Sequence, residues 1–164
     1  GYEFSNENDL WYTSMENLNF AFKYSPLQIE DAPALLDSVN NYYNKPLYEY
    51  SEDMNSEIEI YRNLQQVASR IQPACFSKEK CKGDFPIKTC SNNFIIIEVS
   101  EQAQNLSINE TENEQNKFVF PSAEEESQIK NEITQIENCV YIKGEKQDLI
   151  KLTDSFLYKI LGIK

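Results

Sequence analysis

Phe94-Ile95-Ile96-Ile97-Glu98-Val99 is the stretch on which the fold turns. It is apolar almost throughout and rich in β-branched side chains, without the polar alternation of a half-exposed strand. A run of this kind is a central strand covered on both faces, as in a largely parallel sheet. Its unbroken apolar part, Phe94 to Ile97, is far too short to cross a bilayer, which takes about 20 residues.

Working upstream, residues 75–91 carry three cysteines together with Gly83 and Pro86 and read as a loop. Before it, Ile60, Tyr61, Leu64, Val67, Ala68 and Ile71 fall on one side of a helix from about Glu57 to Ile71. Ser56 and Glu59 form a capping-box pattern at its start, and Pro73 stops it. Pro46 introduces a short strand, Leu47 to Tyr50. A further helix is expected from Asp31, with Pro33 in its first turn and Leu35, Leu36, Val39, Tyr42 and Tyr43 as its stripe. At the N-terminus, Trp11, Thr13 and Met15 alternate, as do Leu18, Phe20, Phe22 and Tyr24. Glu16-Asn17 between them makes a hairpin turn.

Downstream, residues 100–116 are polar and acidic and read as an exposed loop, and Lys117 to Phe120 as a short strand. Ser122 and Glu125 repeat the capping pattern ahead of Ile129, Ile133 and Ile136, which predicts a helix with a narrow apolar stripe. The chain closes on a strand from Cys139 to Ile142, a turn at Gly144 and a helix. Leu149, Ile150, Leu152, Phe156, Leu157, Ile160 and Leu161 give that helix a wide apolar face, and Gly162 stops it. Strands interleaved with helices define a single layered α/β domain over residues 1–164. Its mixed sheet carries packed helices, an N-terminal β-hairpin and a C-terminal strand–turn–helix.

Cys75, Cys81, Cys90 and Cys139 are an even set, and four cysteines allow three pairings. We expect Cys75–Cys81 to close a short loop. Cys90–Cys139 would tie the start of the Ile-rich strand to the start of the last strand, which is possible if the two run parallel. Four reduced thiols are one alternative. A metal site built from all four thiolates is another, but no C-x-x-C pair anchors it and the fourth ligand is distant. Disulfides place the domain in an oxidising compartment outside the cytoplasm.

Charge and composition narrow the function. Asp and Glu number 27 against 15 Lys and Arg, a net charge of −12. That surface repels phosphate backbones and anionic membranes, so no nucleic-acid partner is expected; the charge reads first as keeping the domain soluble, with a basic partner or a cation as the sharper alternative. The absence of histidine removes Ser-His and Cys-His nucleophile pairs and the commonest metal ligand. Gly1, Gly83, Gly144 and Gly162 form no phosphate-cradling loop, so no nucleotide motif is present and no cofactor is expected; without histidine or a C-x-x-C anchor, no bound metal is expected either. Asn105 and Asn109 head two glycosylation sequons in the acidic loop. Glu124-Glu125-Glu126 reads as a helix opening rather than a calcium site, and Glu52-Asp53 and Glu30-Asp31 as caps and turns rather than paired catalytic carboxylates. Tyr42, Tyr43, Tyr48, Tyr50 and Tyr61 crowd one third of the chain, either at the edge of a core or as a contact surface.

Several segments share a wording. They are Asn138-Cys139-Val140-Tyr141-Ile142-Lys143-Gly144, Asp148-Leu149-Ile150-Lys151, and Asp154 through Ile163. Tyr2-Glu3-Phe4 with Leu10-Trp11, and Pro86-Ile87-Lys88-Thr89-Cys90, belong with them. Together these resemble an uncharacterised family of secreted or membrane-anchored archaeal cell-surface proteins. The resemblance implies a cell-surface location and an N-terminal anchor outside this sequence, and it brings no catalytic residue. The acidic segment 100–136 departs from that pattern. The expectation is a non-catalytic envelope module acting through protein–protein contacts. The rivals are a carboxylate-dependent hydrolase and a carbohydrate-binding module.

Overall fold

Burying Phe94–Val99 on both faces requires strands on either side and a layer above and below, and the computed structural model supplies all of these. It describes residues 1–32, 35–81, 83–100 and 131–164. The central strand is β6 (Asn93–Val99), flanked by β4 (Pro46–Ser51) and β8 (Cys139–Gly144), both parallel to it. β5 (Arg70–Pro73) adds in parallel beyond β4, and β7 (Glu132–Ile136) pairs antiparallel with β8 at the other edge. The order is β5-β4-β6-β8-β7, a mixed sheet.

The two faces are covered differently. Ile95 and Ile97 join Leu47, Val140 and Ile142 in a core with α1 (Met54–Leu64) and α2 (Leu149–Ile160). Phe94 and Ile96 face the other way and pack with Tyr48, Tyr50, Ala74 and Cys139, covered by Phe76 and Cys90 of the cysteine loop. A loop without a helix presents little apolar area, and here it is stapled instead. Cys75 is bonded to Cys81 and Cys90 to Cys139, the pairing drawn from the spacing. Phe94 pairs with Cys139 in the β6–β8 ladder, so the second bond crosses at the starts of two parallel strands.

A second sheet stands on the helix layer. β1 (Ser5–Glu7), β2 (Leu10–Met15) and β3 (Leu18–Phe22) form an antiparallel meander, with the turn between β2 and β3 at Glu16-Asn17. Phe20 and Phe22 are buried in the main core, and the Phe22 and Tyr158 rings lie 4.2 Å apart. The open edge of β3 is satisfied by side chains of α1, of α2 and of the turn that follows α1. Asn63 of α1 accepts from the Ala21 N–H at 2.9 Å and donates to the Ala21 carbonyl at 2.8 Å. Gln66 donates to the Asn19 carbonyl, and Asp154 of α2 accepts from the Tyr24 N–H at 2.8 Å.

Four expectations are corrected. No α-helix occupies the described residues between Asp31 and Tyr43. A 3-10 turn at Val39–Asn41 stands there instead, Tyr42 is buried and Leu35 is fully exposed. The stripe does not hold a helix because only part of it finds a surface to pack on. α1 begins three residues earlier than expected and is capped by Asp53, whose side chain accepts from the Ser56 N–H at 2.8 Å. It also ends at Leu64. Ile71 belongs to β5, where the free edge of β4 recruits it. Residues 132–136 are the strand β7 rather than a helix, because the Glu137-Asn138 turn folds them back on β8. Lys117–Phe120, the sequons at Asn105 and Asn109, and Glu124–Glu126 lie outside the described residues.

Restricting the unfolded chain by Cys90–Cys139, 49 residues apart, contributes roughly 4 kcal/mol by the chain-entropy argument. Cys75–Cys81, six apart, contributes about 2. Urea unfolding of C90S/C139S should therefore show about twice the loss seen for C75S/C81S. Equal losses would mean that the longer bond does not hold the sheet.

Candidate functional site

In open parallel sheets ligands lie outside the carboxyl ends of the strands, where the strand order reverses. Here that place is defined by β4 and β6. The chain leaves β4 through α1 to reach β5 on one side, while β8 and β7 lie beyond β6 on the other. The carboxyl ends bring together Glu49, Tyr50, Ser51 and Glu52 from β4 and the residue after it, Glu98 from β6 and Lys143 from β8.

Most of these groups satisfy one another. Glu98 accepts from Lys80 of the cysteine loop and from Lys143, at 3.2 Å. Burial pushes the Glu98 carboxyl up, but the two ammonium groups outweigh it and hold it below the usual range. Glu52 accepts from the Tyr50 hydroxyl at 3.1 Å and from the Val99 N–H at 2.9 Å, which joins the two strand ends. Glu52 and Asp53 are thus a strand clasp and a helix cap, in keeping with their structural reading.

Glu49 is different. Alternation along β4 puts it with Leu47 on the helix side of the sheet. It is only 6% exposed, and its Oε1 has no hydrogen-bond partner. Burial, with the charge of Glu57 on α1 in support, raises its carboxyl well above the ordinary value. A cleft of about 190 Å³ opens beside it, with Glu57 on the α1 side and Phe85 and Cys75 from the cysteine loop opposite. Glu57 continues onto an exposed apolar stripe of α1: Met54, Ile58 and Tyr61 are 73%, 46% and 53% exposed at i, i+4, i+7 spacing. Phe85, also exposed, borders the cleft from the loop.

A second pair of acids sits deeper. Glu59 and Asp154 face each other between α1 and α2, 2% and 0% exposed. Glu59 Oε1 and Asp154 Oδ1 have no other partner, while Arg62 donates to Glu59 Oε2 at 2.8 Å. Two carboxylates cannot both ionise at such proximity. One proton between the two orphan oxygens satisfies both. Burial and the neighbouring Glu59 push Asp154 up to about 9, and burial raises Glu59 against the pull of Arg62. Their enclosure leaves no room for a substrate, so this pair is architectural.

Among the described residues no group of three or more His, Cys, Asp or Glu side chains converges as a metal site. The tyrosines divide: Tyr42, Tyr48 and Tyr50 are buried, and Tyr43 and Tyr61 are exposed. Arg70 donates to the Tyr48 hydroxyl at 3.2 Å, and the Lys88 ammonium lies 4.4 Å from the Tyr48 ring centre. Sequence reading missed Glu49, Glu59 and Asp154. The first was legible in principle, as a carboxyl at an inward position of the strand Leu47 to Tyr50. Asp154 likewise interrupts the apolar face of the last helix. Glu59 was masked by its fit to a capping box.

No protein-family model, no curated protein and no solved structure matches the chain. The fold and site together define an α/β domain of the kind matured in an oxidising, extracytoplasmic setting, with two disulfides and an acidic cleft beside an apolar helix stripe. Among the described residues no helix is long and apolar enough to cross a membrane.

The buried pair predicts a pH dependence. Unfolded Asp and Glu ionise near pH 4, whereas the folded pair keeps its proton until higher pH. Its contribution is therefore fully present below about pH 4. It is lost as pH rises toward about 9, the value to which Asp154 is pushed. Asp154→Asn retains an acceptor for Tyr24 and a donor for Glu59. It should stabilise the protein at pH 8.5 by on the order of 1–3 kcal/mol and flatten the slope between pH 4.5 and 8.5. Urea midpoints at three pH values measure this. An unchanged slope would rule out the shared proton.

Proposed function

We propose that this chain is a non-catalytic recognition module displayed at the cell surface, where it binds a basic protein segment through the exposed face of α1. The observation that carries the reading is the Met54-Ile58-Tyr61 stripe lying beside the Glu49–Glu57 cleft. A helix whose outward face repeats apolar residues at i, i+4, i+7 leaves them in water unless a partner covers them. The acids next to that stripe and the net charge of −12 select a partner of opposite sign, which electrostatics would also steer into place. The disulfides support a location outside the cytoplasm.

The hydrolase reading draws support from one observation, the raised carboxyl of Glu49 with Glu57 nearby. A cleft of about 190 Å³ is nonetheless smaller than the roughly 300–1,000 Å³ of small-molecule sites. It suits a single side chain better than a substrate with an attacking water. Among the described residues the exposed Tyr2, Tyr43 and Tyr61 share no strand or helix, so no row along one element favours the carbohydrate reading.

The test uses two amphipathic 18-residue peptides, one of Leu and Arg and one of Leu and Glu, titrated into the full chain by calorimetry. The basic peptide should bind and the acidic one should not. Ile58→Asp, at a half-exposed position that leaves the fold intact, should weaken binding at least tenfold. Equal binding of the two peptides, or an Ile58→Asp variant that binds as tightly as the parent, would refute the proposal.

A further inference from the structure

From the geometry of the cleft between α1 and the cysteine loop we infer that it is a receptor for one arginine side chain of the bound partner, with Glu49 as its terminal acceptor. The inference rests on the recognition reading and goes further, by naming the residue recognised and the groups that recognise it. Three features point the same way.

The first is an unmet valence. Glu49 is 94% buried, the complement of its 6% exposure, it lines the cleft, and its Oε1 lacks a partner. A buried polar atom left unpaired costs about 1–3 kcal/mol. Such an atom is completed by water or by a ligand group, and here the adjoining cleft gives either one access to Glu49. The second is sign and geometry. The remaining carboxyl is Glu57, from a different element, so a cation entering the cleft meets acids from two directions. A planar guanidinium carries five donors in a fixed fork and can address both carboxyls at once with paired N–H groups, where a compact ammonium offers single, more strongly hydrated contacts. The third is the wall. Phe85 faces the cleft from the loop, and a guanidinium is weakly hydrated and packs on aromatic faces at little cost. The space of about 190 Å³ fits one long side chain and excludes a larger ligand.

The disulfides matter to this assembly. Phe85 lies in the cysteine loop, and Cys75, which lines the same cleft, is bonded to Cys81. Cys75 also anchors the loop through its backbone, its N–H donating to the Pro86 carbonyl at 3.0 Å and its carbonyl accepting from the Lys88 N–H at 2.8 Å. The backbone next to Phe85 is therefore held in place before a ligand arrives, which lowers the ordering cost of binding.

The probe is Nα-acetyl-arginine methylamide, with its citrulline analogue as a neutral match in shape. Each is titrated into the full chain carrying 13C at the glutamate carboxyls, and the Glu49 resonance is followed. Arginine should shift that resonance and bind at least tenfold tighter than citrulline. Glu49→Gln should lose at least tenfold in arginine affinity. Glu57→Gln, at an exposed position that cannot disturb the core, should lose about threefold. Ile58→Asp should leave this small probe unaffected, which separates the receptor from the stripe. Equal responses to arginine and citrulline would overturn the inference even if the Leu-Arg peptide still binds. So would full arginine affinity in both glutamine variants.

Discussion

The strand β6 has to lose water from both of its faces at once, and the layers of the molecule follow from that demand. Neighbouring strands satisfy its backbone, but Ile95 and Ile97 on one side and Phe94 and Ile96 on the other each need an apolar cover. Parallel sheets ordinarily obtain both covers from crossover helices. Here α1 and α2 lie on the same side, and the second cover is a loop with a short apolar inventory, chiefly Ala74, Phe76 and Cys90. A loop of this length loses much conformational entropy on ordering. The two disulfides offset that loss by restricting the unfolded chain. The oxidising location is thus tied to the architecture: the bonds stand where one side of the sheet lacks a helix.

The same economy explains the buried acids between the helices. β3 ends a small sheet, and an unpaired strand edge inside a protein must be satisfied. Asn63, Gln66 and Asp154 take the place of a neighbouring strand, each meeting a backbone group of residues 19–24. An asparagine does this without charge. An aspartate does it only if its ionisation is suppressed, and Glu59 opposite provides the second half of a shared-proton pair. Burial and the two nearby acids also keep the Tyr158 hydroxyl protonated, and it donates to the Tyr24 carbonyl at 2.7 Å. The N-terminal meander is therefore fastened to α1 and α2 by polar groups that are neutral or paired.

Much of this was legible in local pattern. β6, β8 and α2 announce themselves because their apolar residues are dense and their periods unmistakable, and the cysteine pairing follows once β6 and β8 are taken as parallel. The Glu16-Asn17 turn was readable from the alternation on both sides. The same dipeptide recurs at Glu137-Asn138, and both glutamates adopt a positive φ of 53°. Read the same way, it would have exposed β7, but the four-residue spacing of Ile129 and Ile133 imitated a helix. Ile71 misled for a related reason, since it continues the stripe of α1 by spacing while its place is set by the edge of β4. Tertiary pairing decided both cases, and no local period records it. The cleft was less legible still. It depends on which face of β4 Glu49 occupies and on where Phe85 comes to rest, and the second is fixed only after the loop is cross-linked.

The described carboxyls fall into distinct physical situations, and the contrast singles out the cleft. Glu98 is paired to two lysines and stays charged. Glu59 and Asp154 share a proton in a space closed to solvent. Glu49 alone joins an unmet oxygen to adjoining open volume. A purely structural acid would be expected to resemble one of the first two, because an unpaired buried carboxyl lowers stability with nothing in return. Its position also agrees with the general geometry of open α/β sheets, in which the carboxyl edge beside a reversal of strand order is where loops from neighbouring strands part. At that edge the separation between α1 and the cysteine loop leaves a gap, and Glu49, which lines it, is the one buried acid there with neither a cation nor a second carboxyl to complete its bonding.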